Sequence, residues 1–260
     1  MIYAIGDIHG QIEMLHHSLD LIKADGGEDA QIIFMGDYTD RGANSRAVID
    51  HLIDRLAAGR NWTCLKGNHD RMFYDFVTKG VEHDPAITSN LSWVNPRLGG
   101  NTTLASYGIA GTPVLDHPEG GFNCLTHFST DVGDISKADI VAQAQENVPA
   151  GHLTFLNTRQ LYHETEDHIF VHAGLRPNVV LADQTADDMM WIRDEFLETD
   201  HDFGKLVVHG HTAIDAPTHY GNRLNIDAGA GRGRVLIPVV LEGRDCWTLT
   251  ENGRVPVTQA

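Results

Sequence analysis

Positive charge is scarce in this sequence. Its 260 residues carry 19 lysines and arginines against 36 aspartates and glutamates, a formal net charge of −17. Binding to a nucleic-acid backbone or an anionic membrane depends on clustered Lys and Arg, so the balance argues against both partners. Cysteine is equally thin. Cys64, Cys124 and Cys246 are odd in number and far apart, which speaks for reduced structural residues over a disulfide framework or a CxxC zinc site. Long apolar runs are missing too. Val235 to Leu241, broken by Pro238, is strand-sized and far short of a membrane span. The opening MIYAIGD leaves no room for the charged, apolar and cleavage regions of a secretory leader, so a cytoplasmic location is expected. Prolines are few and no low-complexity tract interrupts the chain. With 42% apolar residues, the length suits one large folded domain over residues 1–260. Nothing in the sequence fixes an oligomeric state.

What is present is a rhythm. Residues 2–5 form a short apolar strand running into Gly6-Asp7. Ile12, Leu15, Leu19 and Ile22 then recur at helical spacing until Gly26-Gly27. Ile32 to Met35 runs into Gly36-Asp37, and Val48, Ile49, Leu52, Ile53 and Leu56 line a helical face closed by Gly59. Trp62 to Leu65 runs into Gly67-Asn68. Residues 72–150 read as variable helices and loops that wall a site, with a polar helix over 137–147. The rhythm returns where His168 to Val171 meets His172-Ala173-Gly174, and where Leu206 to Val208 meets His209-Gly210-His211. Residues 223–226, 234–241 and 246–250 alternate like antiparallel strands. Each polar cluster thus follows a strand's C-terminal end, the edge where loops of an α/β sheet converge on ligands.

Asp7-x-His9 alone is weak, because an acid beside a strand end is usually a cap or turn residue. Its company gives it weight. Asp37, Asn68, His172 and His211 follow four other strand ends, beside glycines that let the backbone turn tightly. Carboxylate, amide oxygen and imidazole suit Mn²⁺, Fe or Zn²⁺, and these six residues suffice for two ions. Two cations ~3.5–4 Å apart need a bridging carboxylate. Asp37, on the middle of the first three strands, is the candidate. Asp7 and His9 then complete one site, and Asn68, His172 and His211 the other. A water shared by the ions would be acidified into a nucleophile. Phosphoryl transfer further needs a clamp and an acid. Arg41 and Arg193 offer guanidinium forks for phosphate oxygens, although the plainer reading of Arg193 in WIRDEF is a helix-surface arginine. His69 follows Asn68 and is the natural general acid, near the metals but not on them, with Asp40 to orient it. At HGHT, spacing leaves the choice between His209 and His211 open.

These blocks resemble the phosphoprotein phosphatase branch of the calcineurin-like metallophosphoesterases. GDIHG, GDYTDRG and GNHD are similar to its three signature blocks, and VHAG and GHT to its later histidine motifs. WVNPRLGGNTTLASYG, HLTFLNTRQLYHETEDHIFVHAGLRP, WIRDEF and NRLNIDAGAGRGRV carry the resemblance over nearly the whole chain, toward bacterial and phage serine/threonine protein phosphatases. It implies an α/β fold, a β-sandwich flanked by helices, with a dinuclear site at the strand ends holding two divalent ions, Mn²⁺ foremost. It also implies His211 as the ligand of the last motif, Asp40–His69 as the acid pair, and Arg41, Asn68 and Arg193 against the phosphate. Departures are GNHD for the eukaryotic GNHE, Thr39 for valine and Ala213 for the proline that often follows GHT; none touches an expected ligand. The toxin-binding loop and regulatory docking segments of the eukaryotic enzymes have no counterpart.

The leading expectation is therefore a phosphomonoesterase acting on phosphoserine or phosphothreonine in proteins. Hydrolysis of small phosphates such as symmetrical diadenosine tetraphosphate is the alternative. A silent scaffold would be expected to have lost a ligand or the acid, and none is missing. A nucleic-acid phosphodiesterase is disfavoured by the charge and by the GHT-A ending.

Overall fold

The computed structural model describes residues 1–118 and 121–260. β1 (Ile2–Ile5), α1 (Ile12–Gly26), β2 (Ile32–Phe34), α2 (Ser45–Ala57) and β3 (Trp62–Cys64) follow one another, and the three strands lie parallel in that order. Their apolar runs are continuous because both faces are buried. Tyr3, Ile5, Ile32 and Phe34 pack on the helical side, while Ala4, Ile33 and Met35 face the other way. α3 (Asn68–Lys79) starts directly on the third polar cluster, and α4 (Gly100–Ser106) follows.

Residues 72–150 depart from a purely helical and looped wall. They hold an antiparallel three-stranded meander of β4 (Thr112–Asp116), β5 (Cys124–Thr130) and β6 (Gly133–Ser136). Its polar, largely exposed edges mask the alternation that would announce strands. α5 (Lys137–Asn147) occupies the expected polar helix, capped by the Ser136 hydroxyl accepting from the Asp139 amide. α6 (Ala150–Thr158), β7 (Tyr162–Glu164) and β8 (His168–Val171) follow, then α7 (Ala186–Trp191), α8 (Asp194–Leu197) and β9 (Leu206–His209). The chain ends in β10 (Thr218–His219), β11 (Arg223–Asn225), β12 (Val239–Glu242), β13 (Asp245–Thr250), β14 (Gly253–Pro256) and β15 (Thr258–Gln259).

The first sheet has the order β14-β13-β12-β1-β2-β3, and the second β15-β10-β11-β9-β8-β7. The tail is not wholly antiparallel: β11 lies parallel to β9, with Leu224 opposite Val208. The sheets meet through Ala4, Ile33, Met35, Val239 and Leu241 on one side and Phe170, Leu206, Val208, Leu224 and Ile226 on the other. Each large side chain in that layer contributes about 1.5–3 kcal/mol by leaving water. Beyond the second sheet, Ile169, Val171 and Val207 pack on Met189, Ile192 and Phe196 of the α7–α8 region. The result is an α/β sandwich flanked by helices. No helix among the described residues is long and apolar enough to cross a membrane.

Candidate active site

Five strand ends converge where the two sheets meet. β1, β2 and β3 deliver Asp7, His9, Asp37 and Asn68; β8 and β9 deliver His172 and His211. All six are buried. Backbone crowding here leaves no room for side chains at neighbouring glycines. A Cβ at Gly67 would lie 2.1 Å from an Asp37 carboxylate oxygen, and one at Gly210 2.2 Å from Asp7 Oδ1. The backbone is also strained at this point. Among the described residues seven non-glycines have positive φ, and five of them are His9, Asp37, Asp40, Arg41 and His211, at +48° to +74°. Such conformations cost of order 1–3 kcal/mol each and persist only where the surroundings enforce them.

The ligand atoms form two groups that share Asp37: His9, Asp37 and His69 in one, and Asp37, His172 and His211 in the other. Asp37 Oδ2 lies 3.6 Å from His9 Nε2, and Oδ1 lies 3.5 Å from His172 Nε2. Backbone carbonyls orient the rings. His9 Nδ1 donates to Thr39 O at 2.7 Å and His172 Nδ1 to Met35 O at 2.8 Å, which leaves each Nε2 with its lone pair turned inward. Asn68 Oδ1 stands 2.9 Å from both His172 Nε2 and His211 Nδ1. Asp7 accepts the His211 amide at 3.1 Å. His209 is separated from this cluster: it ends β9, with Nε2 3.4 Å from Arg223 and its ring edge on Phe196. His211, one glycine later, turns inward at φ +65°.

The structure brings His69 and Asp40 together. His69 Nδ1 donates to Asp40 Oδ2 at 2.6 Å. His69 nonetheless comes closer to the ligand group than expected, although Asp40 holds one ring nitrogen and Arg41 the other, at 3.2 Å. Arg41 also donates to His9 Nε2 at 2.8 Å. Arg193 reaches Thr212 Oγ1 at 3.1 Å and lines, with Arg41, Asn68, His69 and His211, a cavity of about 440 Å³.

Four supporting residues stand outside the set expected from the sequence. Trp93 Nε1 donates to Asp40 Oδ2 at 2.8 Å, and Thr103 Oγ1 to Asp40 Oδ1 at 2.7 Å. Asp70 accepts the amides of Asp37 and Tyr38 at 2.9 Å and of Gly67 at 3.1 Å, fixing the loop after β2. Asp227 is buried near Asp7 and accepts the Gly229 amide. Only the three-residue spacing from Gly67 to Asp70, a partial capping-box pattern, could have been read in advance.

Electrostatics favour bound cations. Burial, then repulsion from Asp227 and Asp37, pushes the Asp7 carboxyl well above its ordinary range; burial and Asp70 do the same to Asp37. Burial holds His9, His69 and His211 well below theirs, and His172 down to about 4. Neutral imidazole lone pairs facing buried, uncompensated carboxylates are the donor set of divalent metals. His211 Nε2, buried without a partner among the described residues, adds an unused donor. Burial also raises Asp40, to about 7, against the pull of Thr103 and Trp93.

Residues 1–215 match the family described as calcineurin-like phosphoesterase. The fold is similar to that of a candidate diadenosine tetraphosphatase: 18% identity, 98% of this chain and 93% of that one covered, TM-score 0.59. It is similar to a cold-active protein-tyrosine phosphatase of a psychrophilic Shewanella species: 16% identity, 99% and 80% covered, TM-score 0.60. A Saccharomyces cerevisiae protein serine/threonine phosphatase shares 14% identity over 95% and 79% of the chains, with TM-score 0.51. At these identities the likeness speaks to the fold.

Proposed function

Because the chain belongs to the calcineurin-like phosphoesterases, we propose that it hydrolyses phosphoserine and phosphothreonine monoesters in proteins. Two divalent ions would be held by Asp7, His9, Asp37, Asn68, His172 and His211, with Asp37 shared between them. When bound, such ions acidify water and neutralise developing phosphoryl charge. The protein's own residues do the rest. Arg41 and Arg193 grip the non-bridging oxygens, and Asn68 stands beside them. As the phosphorus–oxygen bond to the serine or threonine breaks, His69 passes a proton from Nε2 to the departing oxygen. Asp40, on the other ring nitrogen, aims it and favours the imidazolium against the burial that otherwise keeps the ring neutral. Trp93 and Thr103 hold Asp40 in place.

One observation carries the choice of a monoester. Among the described residues lining the cavity, the arginines and lysines are Arg41 and Arg193 alone, and the lining also includes the uncharged stretch Ala86, Ile87, Thr88 and Ser89 and the acids Asp37 and Asp194. Two guanidinium groups beside the metal ligands suit one phosphoryl group. A polyphosphate would leave charges unmatched, in a chain whose net charge is −17. The deciding experiment sets phosphopeptides, diadenosine tetraphosphate and a phosphodiester side by side on Mn²⁺-reconstituted protein. The phosphopeptide should give the highest kcat/KM; preference for the dinucleotide overturns the monoester reading.

A further inference from the structure

A second cavity lies away from the residues gathered at the candidate active site. It has a volume of about 620 Å³ and opens at the N-terminal ends of β2 and β3, the end of the sheet opposite the candidate active site. Leu19 and Ile22 of α1, Ile32 of β2, and Trp62 of β3 give it an apolar floor; His51 and Arg55 of α2 close one side. The size falls within the ~300–1,000 Å³ usual for small-molecule sites.

Its lining combines rings with positive charge. Phe34 holds Trp62 edge-on from the core, at 5.1 Å between centroids, and the His51 ring tilts 31° to the Trp62 plane at 6.0 Å. His51 Nδ1 is engaged by His16 at 3.3 Å, whereas His51 Nε2 is buried without a partner among the described residues. Burial, His16 and Arg55 hold the His51 imidazole down to about 4, so it is neutral near pH 7 and Arg55 lies close to it. Lys23 and Arg60 both grip Glu28 at the rim. Three cations, Lys23, Arg55 and Arg60, thus face two acids, Asp20 and Glu28. A net-positive pocket is conspicuous on a chain of charge −17.

We propose that this cavity is a second ligand site, for a purine mononucleotide, with the base against Trp62 and His51 and the phosphate on Arg55, Lys23 and Arg60. Stacking of a base on an aromatic ring is worth about 1–3 kcal/mol. Glu28 competes with the phosphate for two of its three cations.

Calorimetric titration with AMP, in chelator so that the metal ligands play no part, tests the assignment. Adenosine and inorganic phosphate serve as the half-ligands. AMP should bind at one site and more tightly than either half. Arg55→Glu, on the exposed rim, should weaken AMP by at least about tenfold, and Glu28→Gln should tighten it. Circular dichroism establishes that both variants are folded. Absence of saturable heat up to about 10 mM AMP overturns the proposal. So does phosphate binding as tightly as AMP, or AMP binding that survives Arg55→Glu but is lost in Arg41→Ala. None of these outcomes bears on phosphoesterase activity, which is measured without AMP.

Discussion

Replacing Asp40 by asparagine separates charge from shape at the acid pair. Asp40 Oδ2 accepts from His69 Nδ1 at 2.6 Å and from Trp93 Nε1 at 2.8 Å, and Oδ1 accepts from Thr103 Oγ1 at 2.7 Å. An asparagine with its oxygen in the Oδ2 position keeps both ring donors. Its amide nitrogen can donate to Thr103 Oγ1, whose own proton then turns to Ser45 Oγ, 3.1 Å away. No buried polar atom is orphaned, so Asp40→Asn should stay within about 1 kcal/mol of the parent in stability. It loses the charge-assisted bond to a protonated His69, worth about 1.5–3 kcal/mol. That corresponds to a roughly 10- to 150-fold fall in kcat wherever protonation of the leaving group limits the rate. Asp40→Ala is a different experiment. It strands two buried donors, His69 Nδ1 and Trp93 Nε1, at about 1–3 kcal/mol each, a large share of the whole stability of many domains. The assay is kcat for each variant on a phosphoserine peptide and on an aryl phosphate with an activated leaving group, alongside thermal melting. An equal loss on both substrates, or an Asn variant as unstable as the Ala variant, refutes the reasoning.

Four further outcomes are expected. Asp37→Asn should lower metal content from two ions per chain to one or none, measured by elemental analysis after dialysis; retention of two contradicts the shared carboxylate. In the parent, chelation should abolish turnover and Mn²⁺ restore it. Arg193→Ala should raise KM for a phosphopeptide by about tenfold with little change in melting temperature, since a charge-assisted phosphate contact contributes about 1.5–3 kcal/mol. A fall in kcat at constant KM would remove Arg193 from the clamp. Burial holds His209 down to about 3, so below pH 6.5 the unfolded chain binds a proton that the fold refuses, and stability drops with pH. By pH 5 that amounts to about 2 kcal/mol. His209→Gln should flatten the acid limb of the stability profile in chelated protein while leaving metal content unchanged, and an unaltered limb would count against the buried neutral ring.

The strand–loop rhythm was legible because its causes are local. A strand buried on both faces, such as Ile32–Phe34, reads as an unbroken apolar run, and the polar residue that ends it stands within three positions of a glycine. Contacts that close over distance were not legible. Trp93 and Thr103 bond Asp40 across 53 and 63 residues of chain, and no periodicity joins an indole to a carboxylate so far away. The parallel pairing of β11 with β9 is likewise a matter of topology, since an isolated strand looks the same in either direction. The meander of β4 to β6 was hidden by composition: its edge strands, TPVLD and GDIS, lack the apolar face that marks a core strand. For His209 and His211 the decisive quantity is a backbone angle. A left-handed residue after Gly210 points one imidazole inward while the other stays in β9, and a two-residue spacing carries no trace of it.

The meeting of the two sheets at the candidate centre has a consequence for how the chain stays folded. Its three cysteines are free, so no covalent link joins distant parts of the sequence. Residues 7–69, from the first sheet, and 172–211, from the second, come together at one cluster, through contacts such as Asn68 to His172 and His211, 104 and 143 residues apart. Any cation coordinated from both sides is a reversible crosslink closing loops of that length. It stabilises the fold over the open chain by mass action, about 2.7 kcal/mol at a hundred times its dissociation constant. Metal supply would then set the lifetime of the protein as well as its turnover, and a starved cell would lose the molecule to proteolysis along with its activity.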